Sequence, residues 1–321
     1  MTSLLDAVEQ AGRALEAVGG SFRFHPEDWL WRDTPVALSA PGRVSANGQC
    51  RLVRCADGWS AVNLAREADR ELIPALIGAE PGADMWASVE ATAASLSCEA
   101  WRAQACLLHM PVSILGEAQP LEEPSYDVSR VRSGLPRVLD LSALWAGPAC
   151  AGLLAEAGCA VTRVESLRRP DPTPHASPQL DARINGGKTR INGELDDPDM
   201  LERIGMCDIL VTSGRPHALA RVGLTPDRVF AAQPNLIWVA ITAHGWHGDA
   251  GMRVGFGDDC AVAGGLVCAG PQFMGDALAD PLTGLVSATR ALAMWQAGRG
   301  GLIDVPLART AASFAQRIGL R

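Results

Sequence analysis

Arg137-Val138-Leu139-Asp140-Leu141, then the apolar stretch Pro148 to Ala157, then Val161-Thr162-Arg163-Val164-Glu165 decide the fold. The first and last runs have the apolar, β-branched character of buried strands. The stretch between them has the length and composition of a helix. Pro148 suits a first helical position, and Gly158 stands where a helix ends. The unit is strand, helix, strand, the opening of a Rossmann-like parallel sheet. Its first turn carries only Trp145-Ala146-Gly147-Pro148, not G-x-G-x-x-G, so a nicotinamide cofactor is poorly supported. The chain also has no Walker A loop and no G-x-S-x-G elbow.

The alternation continues downstream. A helix is expected over 198–205, a strand over 208–211, a helix over 226–233, a strand over 236–241, and a last helix and strand over 285–295 and 302–306. Upstream the texture differs. Leu4 to Val18 has helical period, and Gly19-Gly20 ends it. Residues 21–50 are irregular. Runs at 51–55 and 59–64 flank Asp57-Gly58 and predict a β-hairpin. Helices near 67–77, 83–95 and 98–107 and a short strand at 111–115 follow. Residues 117–135, rich in Glu, Pro and Ser, are the best linker in the chain. The expected fold class is α/β: a Rossmann-like parallel-sheet domain over 136–321, a linker over 126–135, and a smaller α+β region over 1–125.

Composition bounds the function. Of 321 residues, 48% are hydrophobic and the net charge is -8, so a sizeable core is available and an electrostatic footprint for nucleic acid is absent. Local basic groups can still hold a phosphorylated small molecule. The nine cysteines are odd in number and no pair has C-x-x-C spacing, so they read as small buried hydrophobes of a reducing compartment. Cys260, beside Asp258 and Asp259, is the one considered near chemistry. The first 21 residues contain acids and lack a basic start, unlike a signal peptide. No apolar run is long enough for a membrane helix. A cytoplasmic protein is expected. His244 and His247, with Asp249 nearby, could hold a metal, although their glycine-rich surroundings read as a solvated loop.

Gly275-Asp276-Ala277-Leu278-Ala279-Asp280-Pro281-Leu282-Thr283-Gly284 places an acid at a loop-to-helix junction. On these residues alone Asp280 is either a helix cap, with Pro281 at the first helical position, or a carboxylate nucleophile toward an acyl group.

Four segments in this order resemble the family III CoA-transferases, the group that includes formyl-CoA transferase and carnitine CoA-transferase. They are 138–165, Asn185-Gly186-Gly187-Lys188, 207–224 with Arg215-Pro216 and Arg221-Val222-Gly223-Leu224, and 279–305. The resemblance covers about residues 136–312. It implies coenzyme A as part of an acyl-CoA substrate, a carboxylic acid as co-substrate, no metal, and a homodimer of interlocked rings. It places Asp280 on the nucleophilic aspartate. Gly264 and Gly265, with Gly275, become candidates for backbone oxyanion donors. Arg163, Lys188, Arg215, Arg221 and Arg253 become candidates for the CoA phosphates. Phe256, Asp258 and Asp259 fall where the family carries an aromatic–acid pair, with Gly257 at the acid's place. The family's glycine-rich flap has no counterpart beyond Gly19-Gly20. Residues 40–125 resemble the family's later portion, so the segment order reads as permuted or as half of a tandem protein. The alternatives are an α-methylacyl-CoA racemase, which needs a histidine where Phe256 stands, and a non-catalytic CoA-binding or dimerising partner subunit.

Overall fold

The computed structural model describes residues 3–20, 22–32, 38–122, 132 and 134–321. Six parallel strands form the main sheet: β4 (Arg137–Asp140), β5 (Ala160–Glu165), β6 (Thr189–Asn192), β7 (Ile209–Thr212), β8 (Ile237–Thr242) and β11 (Gly301–Pro306), in the order β11-β8-β7-β4-β5-β6. The order reverses between β4 and β7. In sheets of this kind that reversal opens a crevice beyond the carboxyl ends of the strands. The expected Rossmann-like class is what the chain adopts. β7 and β8 are buried along their whole length, the apolar pattern of strands covered on both faces.

A three-stranded antiparallel sheet precedes it: β1 (Cys50–Arg54), β2 (Trp59–Asn63) and β3 (Val112–Ile114). The expected Asp57-Gly58 hairpin forms, with Arg54 opposite Trp59. Helices α3 (Glu67–Glu71), α4 (Ile73–Ile77), α5 (Met85–Ala94) and α6 (Cys98–Leu107) accompany this sheet. Trp101, Leu76, Val89 and Val62 fill a separate core between them. The single helix expected over 67–77 is split in two, with Pro74 in the first turn of the second piece. A minimal hairpin, β9 (Val267–Cys268) with β10 (Gln272–Phe273), lies further along.

The large core mixes both ends of the chain. Helix α1 (Leu4–Gly19) starts at a Ser3–Asp6 capping box and ends at Gly20, whose φ of 87° is open to glycine. Its Ala7, Val8, Ala11 and Leu15 are buried with residues of α7 (Ala146–Glu156) and α14 (Ala279–Gln296). The first helix thus belongs to the core of the parallel sheet, and Gly19-Gly20 is a helix terminus rather than a flap. The short helix α2 (Pro26–Trp29) follows. The remaining helices are α8 (Thr173–Ala176), α9 (Pro178–Asn185), α10 (Met200–Gly205), α11 (Pro216–Arg221), α12 (Pro226–Ala232), α13 (Gly257–Ala263) and α15 (Leu307–Arg317). Pro148 is the third residue of α7, not its first. Most of the expected linker falls on residues outside the described ones. Its start does not hang free: Glu117 meets Arg253, and the Ala118 N–H donates to Ala263 O.

No helix among the described residues is long and apolar enough to cross a membrane. All nine cysteines are free thiols; seven are buried, Cys106 is partly buried and Cys268 is exposed.

Candidate active site

Asp280 is the second residue of α14, not its cap. Leu278 occupies the cap position without a side-chain hydrogen bond. The turn before it is tight: the Asp280 N–H donates to Ala277 O at 2.9 Å, and Ala277 has a φ of 46°. A left-handed alanine costs on the order of 1–3 kcal/mol and persists only where its surroundings enforce it. The enforcing contact is Asp258, whose Oδ1 accepts the Ala277 N–H at 2.8 Å.

Two glycines explain how the helix comes to lie there. At Gly284, four residues on, a β-carbon would stand 2.8 Å from Ala149 Cβ and 3.0 Å from Ala146 O. Gly284 therefore serves the packing of α14 on α7 rather than the approach of a ligand. At Gly257, the first residue of α13, a β-carbon would collide with Asp280 Oδ2 and stand 2.7 Å from Ala277 Cβ. The acid that the family pattern leads one to expect at this position has no room, because the Asp280 carboxylate fills the place.

The electrostatics are those of crowded acids around one cation. Arg32 Nε donates to Asp276 Oδ2 at 2.8 Å and Nη2 reaches Oδ1, a bidentate fork. The Arg32 guanidinium also lies 5.3 Å from the centre of the Trp145 ring, at the N-terminus of α7. Burial pushes Asp280 up to about 8; Arg32 opposes this, and Asp258, Asp276 and Asp259 add to it. Burial likewise pushes Asp258 to about 7, against the Ala277 hydrogen bond. Asp259 rises to about 6 for the same reason, opposed by hydrogen bonds from Phe256 N–H and Asn63. Asp259 also ties the units together, accepting from Asn63 Nδ2 at 3.0 Å and from Ser113 Oγ at 3.4 Å.

Beyond the carboxyl ends of β4, β5 and β6 lies a cavity of about 630 Å³, lined in part by Ser142, Arg163, Arg168, Arg169, His175 and Arg190. It lies on the β5–β6 side of the crevice between β4 and β7, at the carboxyl ends of the strands. Its wall and the acid cluster share one loop: Leu141, Ser142 and Ala143 line the cavity, while Trp145 touches Arg32. Leu144 between them has a φ of 68°. Two of the three left-handed non-glycine residues among the described ones, Leu144 and Ala277, thus adjoin this region.

The candidate cations separate into two kinds. Lys188 is sealed: its Nζ makes three bonds of 2.8 Å, to Asp140 Oδ2, Pro148 O and Asn185 Oδ1. Arg163, 2% exposed, is spent on Asp140, Glu165, Asp171 and Ser142 O. Burial would raise Asp140, but Lys188 and Arg163 overcome it and hold the carboxyl below its usual range. Lys188 and Arg163 therefore act as a buried node joining β4, β5, α7 and α9, with no donor of Lys188 left for a phosphate. Arg253 is likewise committed, forking onto Glu117 at 2.7 and 3.1 Å and donating to Val112 O. Arg215 starts α11, donates to Met252 O at 3.3 Å, and is pushed down by burial and by Arg66. Arg221 is exposed with no partner among the described residues.

The glycine pair Gly264 and Gly265 is not a donor site. Its N–H groups are used by Cys260 O and Val262 O in the last turn of α13. A β-carbon at Gly264 would stand 2.5 Å from Ala312 N, so this glycine seats α13 against α15. The pair lies at the far end of α13 from Gly257, about 10 Å along the helix at 1.5 Å per residue. Phe256 precedes α13 with Arg66 5.6 Å from its ring centre. His247 and Asp249 are exposed. His244 instead converges with Asp259 and Cys260, a grouping that residue spacing did not disclose.

The sequence model of "CoA-transferase family III" matches residues 134–320. Among curated proteins, the chain is 27% identical over 213 residues to an acyl-CoA transferase of Fusarium pseudograminearum, covering 57% of this chain and 47% of that protein. It is 30% identical over 193 residues to the succinyl-CoA–L-malate CoA-transferase beta subunit of Chloroflexus aurantiacus, covering 53% and 48%. Among solved structures, a CAIB/BAIF family protein from Brucella suis superposes with a TM-score of 0.52 at 25% identity, covering 60% of this chain and 57% of that one. A hypothetical protein from Mycobacterium tuberculosis gives 0.53 at 25% identity, covering 62% and 59%. The chain spans about half the length of the curated relatives it matches.

Proposed function

The chain belongs to CoA-transferase family III, and from that premise we propose that it moves CoA between an acyl-CoA and a free carboxylic acid, with Asp280 as nucleophile. The observation that carries the reading is the position of Asp280: a half-buried carboxylate in the first turn of an 18-residue helix, behind a strained turn held by Asp258. The helix N-terminus favours the anion that attacks.

In the reaction, an Asp280 oxygen attacks the thioester carbonyl. The C–S bond breaks, giving a mixed anhydride and free CoA thiolate. The thiolate then attacks the aspartyl carbonyl, releasing the first carboxylic acid and leaving CoA on Asp280 as a thioester. The acceptor carboxylate runs the two steps in reverse, so Asp280 ends as it began. Each intermediate is an activated acyl group, and no ATP is consumed. Burial of Asp280 makes its anion reactive by withholding water, at the cost of a smaller ionised fraction at neutral pH.

CoA suits the cavity beyond β4–β6. The Arg169 side chain lines it, exposed and with no side-chain partner among the described residues. Arg221 on α11 is exposed beside the lining residue Val222, and these two arginines would take the phosphates. The shared loop Leu141–Trp145 would carry the path from cavity to nucleophile. Dimerisation as interlocked rings, and a permuted order of segments, belong to the same proposal. Phe256 has no proton to transfer, which favours the transferase over a racemase.

The test is chemical trapping. The protein is incubated with succinyl-CoA or a longer acyl-CoA, treated with hydroxylamine or borohydride, and digested. Modification at Asp280 supports the reading. CoA exchange that is unchanged in Asp280→Ala removes it.

A further inference from the structure

We propose that His244, Asp259 and Cys260 bind one divalent cation of the zinc class, between the segment that follows β8 and the first turns of α13. A ring nitrogen of His244, a carboxylate oxygen of Asp259 and the Cys260 sulfur all lie within 4.8 Å of one another. Asp259 Oδ2 and Cys260 Sγ are 3.9 Å apart. Bonds of about 2.0–2.3 Å around a tetrahedral zinc would set the ligand atoms roughly 3.5 Å apart, so a small contraction completes the site.

Three independent features point to a ligand here. The first is an orphan: His244 Nε2 is buried and has no hydrogen-bond partner. Such groups are rare and call for an explanation. The second is the way Asp259 is used. Its Oδ1 is taken by Asn63 Nδ2 at 3.0 Å and Phe256 N–H at 2.9 Å. Its Oδ2 keeps only the long contacts to Ser113 Oγ, 3.4 Å, and to Cys260. Asp259 is thus oriented through Oδ1, with Oδ2 held only by long contacts, the arrangement of a metal-binding carboxylate. The third is Gly255. Its backbone conformation requires no glycine, yet a β-carbon there would stand 2.7 Å from Cys260 Sγ and 2.9 Å from Asp259 Oδ2. The glycine keeps the space beside both ligand atoms clear.

One nitrogen, one oxygen and one sulfur suit zinc far better than magnesium or calcium, which prefer all-oxygen sets. A water takes the fourth position. On binding, the Cys260 S–H bond breaks, a sulfur–metal bond forms, and the proton leaves to solvent. Two cations act on His244, Arg253 and Arg102. Arg253 forks onto Glu117, and Arg102 pairs with Glu99 and Glu117. The cation would pin the start of α13, whose first residue abuts Asp280. The site does not depend on the transferase reading.

The full-length chain, stripped with a chelator, is titrated with Zn²⁺ alone and, separately, with Co²⁺. One equivalent of zinc should bind, and cobalt should show a thiolate charge-transfer band. His244→Ala and Cys260→Ala should each weaken zinc binding by more than about 100-fold, beyond the roughly 10- to 100-fold expected for the outer partner in Asn63→Ala. Gly255→Ala should block binding by crowding, and exposed His247→Ala should leave it unchanged. Absence of stoichiometric uptake overturns the proposal. So does undiminished binding in Cys260→Ala. If that variant fails to fold, cobalt bound to the unaltered chain without a thiolate band overturns it equally.

Discussion

Gly257 and Asp280 occupy one place: the carboxylate of Asp280 lies where a side chain at 257 would begin. The first residue of one buried helix thus forms the floor under the acid in the first turn of another. Gly257→Ala should push either the carboxylate or α13 aside. Overpacking of this kind costs typically about 1–3 kcal/mol. The expected result is a modest loss of thermal stability and a fall in kcat that exceeds any change in KM. Wild-type kcat with an added methyl would show that the contact is not needed.

Arg32 is the cation that faces this cluster. Removing it in Arg32→Met leaves Asp276, 6% exposed, without its fork. Breaking one side of a buried pair costs about 3–5 kcal/mol. Arg32 also holds Asp280 down against burial, so the pH at which activity appears should move upward. Arg32→Lys should restore much of the pH profile and little of the fork geometry. A pH profile that does not move in Arg32→Met would remove Arg32 from the site's electrostatics.

Lys188 separates a structural from a ligand-binding role. Its three bonds are internal, so Lys188→Met should destabilise the fold by about 3–5 kcal/mol, read by denaturant unfolding. The KM for acyl-CoA should hold in whatever protein remains folded. In contrast, Arg169→Ala should raise that KM about tenfold with little change in stability, the worth of one charged hydrogen bond. The opposite pattern would return Lys188 to the CoA site.

Stability should depend on pH in an unusual direction. Asp258, Asp259 and Asp280 titrate near 7, 6 and 8 in the folded chain, against 3.8 for an ordinary aspartate. Between those values the native state holds protons that the unfolded chain has lost. The stability these three carboxyls supply is therefore full below about pH 4 and is lost as pH rises to about 8. Each carboxyl contributes a slope of up to about 1.4 kcal/mol per pH unit within its window. Melting curves across this range check it, and Asp280→Asn should flatten the upper part. Stability that climbs from pH 5 to pH 8 would contradict the burial of these acids.

The sequence disclosed what is local and periodic. The first strand, helix and strand, the Asp57-Gly58 hairpin and the order of segments around Asp280 all follow from composition over short spans. What it hid depends on partners far along the chain. Lys188 looked like a phosphate ligand because Asp140, which consumes it, lies 48 residues earlier. Gly284 has no role legible in the sequence, and only the crossing of α7 shows that it makes room for a helix. Helix α13 carries no helical signal in the sequence because Gly257, Asp258 and Asp259 are poor helix formers, and burial overrides them. The edge strand β6 reads Thr-Arg-Ile-Asn and is largely exposed, so it carries no apolar signal. His244 meets Cys260 only because β8 and α13 are brought side by side.

The most direct test of the account is the mass of the peptide that contains Asp280 after incubation with an acyl-CoA and borohydride reduction. Modification is expected at Asp280, growing with pH toward about 8 as its carboxyl ionises, and absent in Asp280→Asn. An unmodified Asp280 in protein that still exchanges CoA would contradict it.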